Sequence, residues 1–352
     1  MLVSCLLPSS AAHASLISVF DHTIINHGDN TYNGKALFRG AIMDSGSISP
    51  AEPMTAPQAQ HIFETVVEKA GCLNNSAVLS CLRALPFEQY HAAANSVPAL
   101  LGYHSLDLSY FPRPDPGSDF FPVSPEVALE RGSFAKVPVI IGDQEDEGTI
   151  FSLAQSNITT DAQLIEYLAS WFPGNPNATD NVADLVENYP NEPQLGQPVG
   201  SPFNTSRANN IYPQYKRLAA IIGDLTFTLT RRSYLSVVSQ YVRSWSYLST
   251  YLHELPVLGT FHTSDVLVAF GAQNESSFPS QAVQKYYISF VSHLCPNALG
   301  AQPGHFEWPQ WDNCTGAPEL LNITASNTSL TPDNFRQGAW RYLHDHPSAF
   351  RQ

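Results

Sequence analysis

The chain has 352 residues, 43% of them hydrophobic, which is enough for one large packed domain or two small ones. Lys and Arg number 17 against 31 Asp and Glu, a formal charge of −14 with no basic run, so nucleic acid and anionic membranes are not expected partners. No apolar run approaches the roughly 18 residues that a membrane helix needs, and no transmembrane segment is expected.

In chain order, residues 1–16 form an atypical amino-terminal segment: either a thin signal peptide ending near Ala12-His13-Ala14, with no positive residue before it, or a wrong start. Residues 17–26 read as a helix and H-G-D-N-T-Y-N-G as a loop. L-F-R-G-A-I-M-D, 37–44, reads as a strand stopped by Ser45-Gly46-Ser47. Thr55 and Pro57 open a helix whose apolar residues Ile62, Phe63, Val66 and Val67 recur at helical spacing up to Gly71, and a shorter helix spans 77–85. The Pro-, Gly- and Asp-rich stretch 98–125 should run over the surface as a connection with its own packing, in which Phe111, Phe120 and Phe121 need burial. A brief helix over 126–131 leads into V-P-V-I-I-G-D-Q-E-D-E-G-T-I-F, 137–151. Beyond it, helices are expected over 162–171, 182–189, 215–231, 232–240 and 282–294, a strand over 244–252, and a loop over 258–262.

The stretch 137–151 organises the rest. Val137, Val139, Ile140 and Ile141 are written as a parallel strand buried on both faces, and Asp143, Glu145, Asp146 and Glu147 crowd its carboxyl end, where open α/β sheets keep their chemistry. A solvated acidic turn is the plain alternative. A calcium loop is excluded: Asp143 and Gly148 occupy the first and sixth places of an EF-hand, but Ala154 stands at the twelfth, where a bidentate Glu is needed.

Chemistry at neutral pH wants a histidine beside such a carboxylate. Of twelve, His262 is singled out by its Gly- and Thr-containing loop just after a predicted strand; a merely hydrogen-bonded loop histidine is the alternative. His253-Glu254 lacks a second histidine at metalloprotease spacing, so no metal site and no cofactor are expected. Eight Asn-x-Ser/Thr triplets begin at Asn74, Asn157, Asn177, Asn204, Asn274, Asn313, Asn322 and Asn327, where about three would arise by chance, and this excess points to an extracellular, secreted glycoprotein. Cys72 and Cys81 flank a short polar segment and are paired here as a disulfide; Cys295 and Cys314 form a weaker candidate pair, with Cys5 left over.

The motifs F-P-R-P-D-P-G, R-G-S-F-A-K-V-P-V-I-I-G-D-Q-E-D-E-G-T-I-F, L-G-T-F-H-T-S-D and D-N-T-Y-N-G-K-A-L-F-R-G-A-I-M-D-S-G-S, with the Cys72/Cys81 pair, resemble the type-B carboxylesterases and among them the secreted fungal lipases, from about Ile17 to the end. The resemblance implies an α/β-hydrolase fold, residues 17–352 being the carboxyl-terminal portion of a single domain with a partial parallel sheet and a helix-rich second half. It also implies hydrolysis of carboxylic esters by a Ser, Glu, His triad in that order. By its D-E-G-T motif Glu147 would be the acid, and by its G-x-x-H loop His262 the base; Asp143, Glu145 and Asp146 would be neighbours. Ser45, in the S-G-S motif, is expected to hydrogen-bond near Glu147.

One part of the pattern is missing. The family's serine sits in G-E-S-A-G, which should fall at 11–15, where the chain reads Ala11-Ala12-His13-Ala14-Ser15, and no G-x-S-x-G occurs anywhere in it. Without that elbow and the oxyanion hole beside it, the expectation is a fold truncated at its amino-terminal side, inactive as written, with an unpaired parallel edge at the strand over 37–44. A non-catalytic, cholinesterase-like binding module is the alternative. Ser15 or His13 as a replacement nucleophile is disfavoured because the flanking glycines are absent.

Overall fold

A computed structural model describes residues 2–3, 12–195, 207–272, 276–300, 303–312 and 318–352. In chain order the strands and helices are β1 (Leu2–Val3), α1 (Ala12–Ile24), β2 (Thr31–Tyr32), β3 (Lys35–Ala36), β4 (Ala41–Asp44), α2 (Pro57–Lys69), α3 (Val78–Ala84), α4 (Phe87–Ala94), α5 (Pro125–Glu130), β5 (Val139–Gln144), α6 (Asp161–Ala169), α7 (Ala178–Glu187), α8 (Tyr215–Gly223), α9 (Leu229–Val238), β6 (Ser244–Ser249), α10 (Ser264–Ala269), α11 (Phe278–His293), β7 (Glu319–Ile323), β8 (Thr328–Pro332) and α12 (Gln337–Asp345).

The main sheet runs β1-β4-β5-β6-β7-β8, parallel throughout except for β8, which returns antiparallel to β7. Period-2 alternation sorts its side chains onto two faces. Ala41, Met43, Val139, Ile141, Leu248 and Leu320 meet Val19, Phe20 and Ile24 of α1 and Tyr234, Leu235 and Val238 of α9. Ile42, Ile140, Trp245, Tyr247 and Leu321 meet Ala282, Val283, Tyr286 and Phe290 of α11. Both faces are thus covered, as an all-parallel stretch requires. A third core, built from α6, α7, α8 and α12, lies beyond the strand ends and receives Phe151 and Phe227. A small fourth core gathers Val66, Val67, Ala70, Cys72, Ala93 and Val97, and there Cys72 and Cys81 are disulfide-bonded. The pair expected between Cys295 and Cys314 cannot be placed, because Cys314, like Cys5, lies outside the described residues.

Several expectations need correction. The edge of β4 is partly paired, by the two residues of β1. The loop over 27–34 contains half of a miniature hairpin: Asn33 and Gly34, with φ of 51° and 74°, turn β2 into β3 as a type I′ turn requires. The sequence does not announce α4, β7 or β8, which are short. Residues 215–238 form one continuous helical run whose break is a π-helical turn at Asp224–Thr228, and not a boundary between Arg231 and Arg232. Phe120 is 57% exposed, so only Phe111 and Phe121 of the three aromatic residues in 98–125 find partial cover. Asn322 is buried and its Oδ1 accepts from Thr250 Oγ1 at 2.9 Å, which takes it out of reach of glycosylation, whereas Asn74, Asn157, Asn177 and Asn327 are exposed. Asn204, Asn274 and Asn313 lie outside the described residues.

The sheet is tied to α9 and the β8 end by a buried charge network. Arg231 Nε donates to Asp143 at 2.7 Å, its Nη1 and Nη2 donate to Asp333 at 2.8 and 2.9 Å, and Arg232 Nε reaches Asp333 at 2.9 Å. Burial pushes the Asp143 carboxyl up to about 7 against the pull of Arg231. Burial acts the same way on Asp333, but the two guanidiniums overcome it and hold that carboxyl well below the usual range. Removing Arg231 leaves Asp143 buried without a cation and Asp333 with Arg232 and the Trp311 indole N–H. Arg231→Met is therefore expected to cost about 3–5 kcal/mol in urea unfolding at pH 7; a loss below about 1 kcal/mol would show that the network carries no such weight.

Candidate active site

β5 is buried along its whole length and delivers its acids into a tight turn between the sheet and α8. Gly148 ends this turn against that helix: a Cβ there would lie 1.9 Å from the carbonyl oxygen of Ala219, so no side chain fits. The close approach fixes the rotation of Glu147. One carboxylate oxygen, Oε1, accepts the Gln144 N–H at 2.6 Å, and the other, Oε2, lies 2.5 Å from His262 Nδ1. Both side chains are buried, 2% exposed.

The histidine arrives from the other side. β6 ends at Ser249, and the chain folds back over the acid turn before Phe261 forms a single parallel bridge with Asp146. The ring stacks on Phe227 (centroids 4.6 Å apart, planes at 28°) and leans on Phe151 at 5.2 Å. Phe227 belongs to the π-helical turn, and such turns recur at functional sites because the extra residue redirects a side chain.

The residues singled out from sequence are therefore brought together, and the solvated-turn reading of the acids fails. Asp143 is consumed by Arg231, Glu145 contacts His253 Nδ1 at 2.9 and 3.0 Å, and Asp146 accepts the Thr260 N–H at 2.9 Å. Ser45 sits at the end of β4 with φ of 60°. Its buried hydroxyl lies near the Glu147 carboxyl and holds it lower. Sequence reasoning missed Phe227, which lay in an unremarkable helix, and Asp44, whose charge pushes Glu147 up. Asp44 itself is raised to about 6 by burial against the opposing hydroxyls of Tyr287 and Tyr247.

A model of the family described as "Carboxylesterase family" matches residues 25–340. The chain belongs to the carboxylesterase family. It is 50% identical over 333 residues to "Secreted lipase 1" of Botryotinia fuckeliana, covering 94% of this chain and 56% of that protein. It is 43% identical to a "Secreted triacylglycerol lipase" of Gibberella zeae (94% and 55%) and 40% identical to "Lipase 2" of Diutina rugosa (96% and 59%). The chain thus spans a little over half the length of these curated relatives. Among solved structures, the crystal structure of Aspergillus niger EstA superposes with a TM-score of 0.73 at 22% identity, over 97% of this chain and 64% of that one, and a "PNB esterase" with 0.66 at 20% over 94% and 62%. The fold is that of the α/β-hydrolases, as expected for this family.

Burial dominates the electrostatics of the pair. It pushes Glu147 up to about 8, against the Gln144 N–H and Ser45, and pushes His262 down to about 3. The raised carboxyl means that the folded protein holds a proton that the unfolded chain releases above about pH 4.5, so stability is lost as pH rises from there through 8. The lowered imidazole acts in the opposite direction below its ordinary value, between about pH 6.5 and 3. Between pH 6.5 and 8 only the carboxyl's loss operates. Wild type should therefore lose, over that window, on the order of 1–2 kcal/mol that Glu147→Gln does not lose, in paired urea titrations. Parallel pH dependences of the two proteins would contradict this assignment.

Proposed function

We propose that Glu147 and His262 are the acid and the general base of a carboxylic-ester hydrolase, and that the serine they serve is not among these 352 residues. The observation that carries this reading is the 2.5 Å contact between a buried carboxylate and a buried imidazole, each delivered from the carboxyl end of a neighbouring parallel strand. In such a pair the carboxylate holds the ring in the tautomer whose other nitrogen takes the nucleophile's proton, and stabilises the imidazolium that results. The order of the two residues, with the acid 115 positions before the base, agrees with the family's triad.

An apolar cleft runs from beneath Phe227 between Leu106, Leu108, Phe111, Phe172 and Leu225. Its lining, which includes Ser49, Thr226 and Gln352 but no charged side chain, suits the acyl part of an apolar ester. The names of two relatives, the exposed sequons and the disulfide together support an extracellular setting. Among the described residues no helix is long and apolar enough to cross a membrane.

The chain by itself should show no turnover of p-nitrophenyl butyrate and no labelling by a fluorophosphonate; labelling of any serine in it would place the nucleophile here and overturn the proposal. Fused behind the amino-terminal part of the Botryotinia fuckeliana lipase, it should gain turnover, and in that fusion His262→Ala and Glu147→Gln should each lower kcat about 10⁴-fold. A fusion that folds and stays inert would instead favour a binding module without chemistry.

A further inference from the structure

The three consecutive acids Glu145, Asp146 and Glu147 each grip a different point of the segment 253–262. Glu145 holds the His253 ring at its start, Asp146 holds the backbone at Thr260, and Glu147 holds His262 itself. Of the three, Asp146 makes the most constrained contact. Its Oδ2 accepts the Thr260 N–H at 2.9 Å while its own N–H donates to the Thr260 carbonyl at 3.0 Å, so one residue holds both main-chain groups of another, two positions before the histidine. Gly259 makes room for this: its φ is +58°, and a Cβ there would lie 2.1 Å from Asp146 Oδ2. Thr260 Oγ1 also accepts the Leu252 N–H at 3.1 Å, while Thr149 Oγ1 to the Leu258 carbonyl at 2.7 Å and Tyr215 OH to the Val257 carbonyl at 3.0 Å hold the segment earlier in its sequence.

We propose that Asp146 is a positioning residue: by clasping Thr260 it sets the height and tilt of the His262 ring, so that Nδ1 meets Glu147 and the ring face meets Phe227. The inference rests on the Glu147–His262 reading above. The mechanism is geometric. The two hydrogen bonds hold the main chain at Thr260, the bridge between Asp146 and Phe261 shares the second of them, and the side-chain torsions of His262 are then set by the carboxylate and the two phenyl rings. Without the side-chain half of the clasp, the main chain two positions before the ring would keep only the Asp146 N–H bond, and the ring's own contacts with Glu147, Phe227 and Phe151 would have to set its position.

The test uses the full 352-residue chain labelled with ¹⁵N-histidine, the His262 signals being assigned by their loss in His262→Asn. In wild type, His262 Nδ1 should carry the shift of a bonded ring nitrogen. Asp146→Asn, which keeps an acceptor oxygen in the same place, should retain that shift; Asp146→Ala should move it toward the averaged value of a mobile ring, with the other assigned histidines unchanged. Hydrogen exchange of a peptide covering 258–264 should rise at least about tenfold in Asp146→Ala and stay near wild type in Asp146→Asn. Gly259→Ala, which drives a methyl group into the carboxylate, should reproduce the Ala variant, and together with Asp146→Asn it decides the matter if Asp146→Ala does not fold. An unchanged His262 shift and unchanged exchange in Asp146→Ala or Gly259→Ala would overturn the proposal, as would an Asn variant that behaves like Ala. Absence of a bonded Nδ1 in wild type would instead sink the Glu147–His262 pair, and this inference with it.

Discussion

Four carboxylates gathered at the end of one buried strand impose the constraint that the rest of the molecule answers. Ionised carboxylates that leave water must find a cation, a hydrogen-bond donor or a proton, because the desolvation cost far exceeds what packing returns. Each of the four finds a different solution: a guanidinium for Asp143, an imidazole on the surface side for Glu145, a backbone N–H for Asp146, and a backbone N–H together with a buried imidazole for Glu147. These partners come from α9, from the chain after β6 and from β5 itself. Satisfying the acids therefore joins the parallel sheet, the helix behind it and the histidine loop into one arrangement.

The π-helical turn between α8 and α9 fits the same scheme. It places Phe227 under the imidazole while Asp224, at its start, is buried and bonded to Tyr189 at 2.6 Å and to Arg336. Three residues on, Arg231 turns back to the sheet. One helical run thus carries the ring's apolar support and the counter-charge for Asp143, and the extra residue in the turn sets the phase between the two.

How much of this can be read from the amino-acid sequence follows from how locally each feature is encoded. β4 and β5 are short apolar runs closed by polar or glycine stops, β6 alternates serine with Trp245 and Tyr247, and α2 carries its spacing openly; all are legible, and so are Glu147 and His262 once the family's motifs are recognised. The cysteine pair is legible because its loop is short. Phe227 is not, because its role depends on a one-residue insertion in helical phase that hydrophobic spacing does not mark. β7 is missed because its apolar run is only Leu320 and Leu321 before Asn322, and β8 because an edge strand rich in hydroxyl residues carries little hydrophobic pattern. Asp146 reads only as one more acid among neighbours, since its partner is a main-chain N–H more than a hundred residues away and carries no side-chain signature.

The last strand, β8, runs against the direction of the five before it in the sheet and is made of Thr328, Ser329, Leu330, Thr331 and Pro332. Hydroxyl-bearing residues and a proline without an amide hydrogen make a poor template for another polypeptide to zip onto. On that flank the molecule discourages its own kind from stacking.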